Sequence, residues 1–252
     1  MNAADRLLTI LGLFSEDRPR WSAEDMMAAT GFTRPTLYRY LKNLRDAGLL
    51  MSSGASFMLG PKVTEMDYLM QRADPVIAAG QGALRLLAQT HPGSAFLARW
   101  YGRRILCVAS ESSAPGLRSS YPRGRPMPLA RGAISRVILA HLPKREQEAI
   151  GGENLGEFAR TGTGETVQEI RATLRRVRRE GVAVAHGEVT PGVVGIAAPL
   201  LEPGGTPVAA LCFTVDEAGL NASQLAHLRA TVRAQAQDVS ARLAELEEVG
   251  HG

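Results

Sequence analysis

The chain has 252 residues, 45% hydrophobic and 21% charged, the balance of an ordinary globular protein with room for one large domain or two modest ones. Its net charge of +4 permits a nucleic-acid partner without establishing one, because where charge sits matters more than its sum. The two cysteines, Cys107 and Cys212, show neither metal-ligand spacing nor a disulfide framework. No apolar run reaches the roughly 18 residues that a membrane span needs, and Met-Asn-Ala-Ala-Asp-Arg at the start lacks a signal-peptide core. The expected location is the cytoplasm.

Residues 5–15 read as a first helix, with Leu7, Leu8, Ile10, Leu11 and Phe14 on its apolar side. Arg18-Pro19-Arg20 is a loop. Ser22 is a helix N-cap, with Asp25 in place of the usual glutamate of a capping box. Gly31 supplies the positive φ that closes this second helix. Thr33 is the N-cap of a third, and Pro35 sits in its first turn, where a missing N–H costs nothing. Leu37, Leu41 and Leu44 recur at spacings of four and three, one inward stripe. Arg34, Thr36, Tyr38, Arg39, Lys42 and Asn43 occupy the other side, where Asp46 is the helix's single acidic residue. Gly48 ends the helix. Two short apolar segments, Leu49–Met51 and Ser56–Leu59, then flank Ser52-Ser53-Gly54-Ala55 as a hairpin.

Helix, turn, helix and hairpin in this order predict a winged helix-turn-helix, whose second helix fits a major groove. The candidate DNA-binding residues are Thr33, Arg34, Thr36, Tyr38, Arg39, Lys42 and Asn43. For Arg39 a structural role inside the head is an equal alternative. The competing reading of the whole stretch is an α-hairpin with a solvated basic face.

Gly60-Pro61 breaks the chain, and Val63 to Arg72 reads as a connecting helix with Val63, Met66 and Leu69 or Met70 inward and with dimer contacts. Asp74-Pro75 marks a boundary, so the expected division is a head at 1–61, a linker helix at 62–74 and a second domain at 75–252. That domain opens with a helix from Pro75 to Gln89, with Val76, Leu84, Leu86 and Leu87 as core. A hairpin about Gly102-Arg103 and a third strand over Leu117–Tyr121 follow. Pro122–Pro128 is a loop, Leu129–Ala140 a helix, and Pro143 starts a helix reaching Ile150. Gly151–Gly164 reads as loop. Glu165–Glu180 is a helix with Val167, Ile170, Leu174 and Val177 inward, capped by Gly181. Three apolar strands, Val182–Ala185, Val193–Leu200 and Val208–Val215, precede a long helix from Ala222 to Val249, whose buried stripe is Leu225, Leu228, Val232, Val239, Leu243 and Leu246. Strands joined by short turns with helices around them predict an α+β domain on an antiparallel sheet.

No catalytic constellation stands out. The histidines show no metal-like pair, and Glu188 near His186 lacks a nucleophile or a third partner. The arginines at 171, 175, 178 and 179 are a solvated helix face. Neither a cofactor nor a metal is expected.

Taken together, these residues resemble the IclR-type bacterial transcriptional regulators over nearly the whole chain. In the head the likeness rests on Arg6-Leu7-Leu8, Thr30-Gly31-Phe32, Thr36–Leu41, Gly48-Leu49-Leu50 and Leu59-Gly60. Further on it rests on Pro128-Leu129, Leu139–Pro143, Val177–Ala183, Pro191-Gly192-Val193, Ile196–Pro199 and Pro207–Leu211. The resemblance implies a winged head joined by a helix to a GAF-like effector-binding domain, acting as dimers, often paired into tetramers, on palindromic operators in double-stranded DNA. It implies a small organic acid or aromatic effector, with Ala130, Gly132, Ala133, Glu188, Gly195, Cys212 and Thr214 at its pocket. Ala130 stands where histidine is frequent, Ser135-Arg136 where Gly-Lys is usual, Gly195 where cysteine is common, and Cys212 and Thr214 where two serines are common. Those departures favour a larger, flatter or more apolar ligand than a small keto-acid. The expected function is thus a ligand-responsive DNA-binding regulator and not an enzyme. The alternative is a small-molecule-processing enzyme, or a sensor, with a regulatory helix-turn-helix head.

Overall fold

The computed structural model describes residues 2–114 and 121–250, in two units that part between Ala73 and Asp74. In the first unit, Asn2 caps helix α1 (Ala3–Leu11) by accepting from the Asp5 N–H. Ile10 is fully buried, with Leu7, Leu11 and Phe14 packed beside it, whereas Leu8 is 66% exposed. The true stripe runs at spacings of three, one and three, and Leu8 falls outside its arc. Ser22 caps α2 (Ala23–Thr30) through the Asp25 N–H. The Asp25 carboxylate accepts from the Ser22 hydroxyl, so the reciprocal half of a capping box is absent. Gly31, at φ 69°, closes this helix.

Helix α3 (Arg34–Asp46) has Pro35 in its first turn and buries Leu37, Leu41 and Leu44, as the spacing predicts, together with Tyr40. Thr33 holds the N-cap position but makes no capping hydrogen bond; its hydroxyl donates to that of Thr36. The wing is β2 (Leu50–Ser53) and β3 (Ser56–Leu59). Its turn is shorter than expected, because Ser52 and Ser53 pair with Phe57 and Ser56. A third strand, β1 (Trp21–Ser22), pairs with β3; two residues are too few to show alternation in a sequence. Helix α4 (Pro61–Ala73) buries none of its residues. Met66, Tyr68, Leu69 and Met70 are each at least 45% exposed, so the inward side expected for Met66, Leu69 and Met70 does not exist within this unit.

The second unit is built on six antiparallel strands in the order β6-β5-β4-β9-β8-β7. These are β4 (Ser94–Trp100), β5 (Ile105–Ser112), β6 (Pro126–Met127), β7 (Ala183–His186), β8 (Val193–Leu201) and β9 (Pro207–Asp216). Alternation along β4, β8 and β9 sends side chains to both faces, and both are covered. On one face α5 (Pro75–Thr90) and α10 (Ala222–Gly250) bury Val76, Leu84, Leu87, Val232 and Val239. Leu86 and Leu246, expected in this core, are 42% and 44% exposed. On the other face lie α6 (Ala133–Leu139), α7 (Lys144–Glu153), α8 (Leu155–Arg160) and α9 (Val167–Glu180).

The sequence reading departs from the structure at three places here. The expected strand over Leu117–Tyr121 falls largely outside the described residues, and the short strand at the β5 edge is β6, inside the presumed loop. Helix α6 starts at Ala133 and not at Leu129, because Gly132 at φ 87° turns the chain into it. Gly151–Gly164 is not loop: α7 runs on to Glu153, and α8 drives Phe158 into full burial. Among the described residues no helix is long and apolar enough to cross a membrane.

Candidate functional site

Two surfaces carry the candidate residues. On α3, the three leucines and Tyr40 turn inward, which leaves Thr33, Arg34, Tyr38, Arg39, Lys42 and Asn43 exposed and Thr36 half-buried. The Arg34 guanidinium lies 5.7 Å from the Tyr38 ring centre. Among the described residues, neither Arg34 nor Lys42 is held by a carboxylate, so both charges face solvent. Arg39 differs. It donates to the Tyr40 hydroxyl at 3.3 Å and lies 5.1 Å from that ring's centre, and this hydrogen bond holds the phenol below its ordinary pKa. Of its two readings, the structural partnership with Tyr40 is visible.

The second surface is a cavity in the C-terminal unit, between the start of α6, the 188–190 turn and the inner faces of β4, β8 and β9. Gly132, Ala133, Glu188, Gly195, Cys212 and Thr214 all line it. Ala130 does not; it is 1% exposed and packed in the core beneath α6. About 550 Å³ is free of protein atoms, mouth included, of which about 60 Å³ admits the centre of a water-sized molecule. That is room for a few waters or one compact ring.

The register explains the space. Gly195 faces Thr214 across β8 and β9, and a Cβ there would meet nothing nearer than the Thr214 methyl at 3.9 Å. Gly132 is needed for a different reason, since a Cβ would come within 2.9 Å of Val189 at a positive φ. The apolar wall includes residues that the sequence reading missed: Phe96, Tyr121, Met127 and Ile134. The Phe96 and Tyr121 rings stack with centres 5.6 Å apart. Phe96 was in principle findable, because it pairs with Cys212 and so shares its face.

One charged assembly stands at the wall. Glu188 Oε2 accepts from the Gly132 N–H at 2.8 Å, and Oε1 accepts from Arg136 Nη2 at 2.6 Å. Arg136 is 7% exposed. It also donates from Nε and Nη2 to Thr163 Oγ1, from Nη1 to the Val184 carbonyl and from Nη2 to the Thr161 carbonyl. A buried guanidinium so fully partnered avoids the penalty of an unpaired charge. His186 instead binds Glu217, at 2.8 Å. Among the described residues no group of three or more His, Cys, Asp or Glu could hold a metal ion.

Burial pushes the Cys107 thiol up to about 12 and raises Cys212 as well. Because the thiolate is the nucleophile, raised values keep both thiols protonated through the neutral range. Native protein at pH 8 is therefore expected to give no fast reaction with a chromogenic disulfide reagent, and two equivalents after unfolding; rapid native labelling of either would show that its strand opens.

Comparison with known proteins is consistent along the chain. Residues 3–53 match the family description "IclR helix-turn-helix domain", and residues 70–241 match "Bacterial transcriptional regulator IclR C-terminal". The Pca regulon regulatory protein of Pseudomonas putida is 25% identical over 228 residues, 89% of this chain and 78% of that protein. The fold is shared with an IclR transcriptional regulator from Alicyclobacillus acidocaldarius, at TM-score 0.80 and 20% identity over 95% of this chain and 96% of the other. It is shared too with an IclR homolog from Microbacterium hydrocarbonoxydans complexed with 4-hydroxybenzoate, at TM-score 0.78 and 18% identity over 96% and 99%.

Proposed function

Because this chain belongs to the IclR family of bacterial transcriptional regulators, we propose that it binds operator DNA as a dimer or tetramer and that a small organic effector in the α6–β8–β9 cavity modulates that binding. Membership makes it a regulator with a helix-turn-helix DNA-binding domain, not an enzyme. The observation that carries the finer reading is the division of α3, with its leucines inside and, among the described residues, Arg34 and Lys42 outside and held by no carboxylate. Arg34 and Thr36 are near the start of α3, the part of a recognition helix that contacts base edges, and Lys42 and Asn43, a turn or two further on, are assigned to bases or phosphates. Two such helices in a symmetric dimer read half-sites about 34 Å apart.

Helix α4 supports the dimer. A helix with no buried residue, bearing exposed Met66, Leu69 and Met70 at spacings of three and one, needs a partner for that face, and a second copy supplies the same face. The aromatic walls of the cavity support an effector with an aromatic ring, the one feature taken from the 4-hydroxybenzoate complex of the structural neighbour. An effector acts only by binding one arrangement of the DNA heads more tightly than another. The cytoplasm is where such a protein meets its DNA.

The test is a mobility-shift titration with the DNA upstream of the protein's own gene, repeated across salt concentrations. A specific complex that weakens about 10³-fold or more between 50 and 200 mM salt is expected, since several phosphate contacts release counterions. A salt-insensitive shift, or none on any promoter DNA, counts against operator binding.

A further inference from the structure

On the reading of the cavity as the effector site, we propose that it takes a compact uncharged aromatic molecule bearing a hydroxyl group, and that Glu188 makes it reject aromatic carboxylates. Two donors stand at Glu188, the Gly132 N–H and the Arg136 guanidinium. Both are already engaged by the chain's own carboxylate, at 2.8 and 2.6 Å. The remaining Arg136 donors point away, to Thr163, Thr161 and Val184. The basic residue that lines the wall, Arg131, faces Glu157 at 3.4 Å with 44% of its side chain exposed. The Thr214 hydroxyl donates to the Ser94 carbonyl at 3.1 Å.

A ligand carboxylate would therefore lie beside a like charge, in apolar surroundings, with no uncommitted buried cation among the described lining residues to balance it. A phenol meets the opposite situation. Each Glu188 oxygen accepts one hydrogen bond from the protein and retains a second lone pair, so it can accept the phenol O–H as a charge-assisted bond. The ring then lies against the stacked Phe96 and Tyr121. Arg136 does not line this cavity; it is a positioning residue that holds the Glu188 carboxylate in place through its 2.6 Å bond.

The experiment is calorimetric titration of the full chain with 4-methylphenol and 4-methylbenzoate, which share the methylated ring and differ in the charge of the group opposite the methyl, with 4-methylbenzamide as the uncharged control for the size of the benzoate. It uses the native protein, Glu188→Gln and Gly195→Phe, the last placing a ring in the cavity from a position where a Cβ makes only an ordinary contact with the Thr214 methyl. We expect 4-methylphenol to bind at least tenfold more tightly than 4-methylbenzoate, and both to be lost in Gly195→Phe. Glu188→Gln should shift the preference at least tenfold toward the carboxylate, because the like charge is gone and Arg136 is left unneutralised. Equal or tighter binding of 4-methylbenzoate to the native protein, lost in Gly195→Phe, overturns the specificity and leaves the effector cavity standing. So does a preference that Glu188→Gln does not move. Binding of neither probe, or binding indifferent to Gly195→Phe, overturns the cavity reading and the proposal together. If Glu188→Gln does not fold, the native comparison with Gly195→Phe still decides.

Discussion

The double variant Arg34→Ala, Lys42→Ala is expected to abolish specific operator binding while leaving the protein folded. Both side chains are exposed on α3 and the four side chains that hold the helix in place, Leu37, Tyr40, Leu41 and Leu44, are untouched. Exposed substitutions of this kind cost the fold within about 0.5 kcal/mol. A base-edge arginine contact is worth about 1–3 kcal/mol and lysine contributes through phosphate, so together the losses reach roughly a hundredfold or more. The two single variants should differ in kind. Arg34→Ala relaxes sequence preference, whereas Lys42→Ala weakens all sequences alike and lowers the salt slope by about one. Mobility shifts on specific and scrambled DNA, with a melting curve as control, separate these outcomes. An unchanged shift in the double variant would move the DNA contact off this helix. Arg39→Ala is the useful contrast: its guanidinium is engaged with Tyr40, so part of its effect should appear as lost stability of the head.

Phe158→Ala is expected to destabilise the C-terminal unit by about 3–5 kcal/mol, the range for removing a fully buried aromatic side chain. Phe158 is completely inaccessible, in the core between the sheet and the α6–α9 layer. Its position has a consequence for the cavity. Helix α8 ends at Arg160, and the next few residues bring Thr161 and Thr163 to Arg136. Loosening Phe158 should therefore loosen the Arg136–Glu188 pair. Urea unfolding should show the loss of stability, and effector-induced protection against heat should shrink with it, since a ligand stabilises only the form that binds it. A cost under about 1 kcal/mol would mean that the 151–164 segment is a surface loop after all.

How far each feature could be read follows from its range along the chain. Glycine punctuation is local: Gly31, Gly48 and Gly181 all adopt the positive φ that ends a helix, and each was readable from its neighbours alone. The stripe of α3 was equally local. The stripe of α1 failed at Leu8, and that of α10 at Leu246, because periodicity states which residues share an arc but not how wide the buried arc is. The 151–164 segment was misread for a related reason. Its glycines weaken the helical signal, and only Phe158 meeting a core built from distant strands makes α8 worth forming.

The cavity shows the same limit more sharply. Gly132, Ala133, Glu188, Gly195, Cys212 and Thr214 were named through the family resemblance, not from periodicity, and Ala130, named with them, is core. Arg136, 52 residues from Glu188, was noted in the sequence only as a departure from the family's pattern. What this sequence determines by itself is the set of short-range choices: where helices start and stop, which side of α3 is cationic, and that strands are joined by tight turns. Those depend on backbone sterics and on spacings within a few residues. The tertiary structure alone decides that β4 lies between β5 and β9, that Phe96 shares a wall with Cys212, and that a buried arginine meets Glu188. Each of these needs surfaces far apart in the chain to find the same apolar core, and no local rule carries that information.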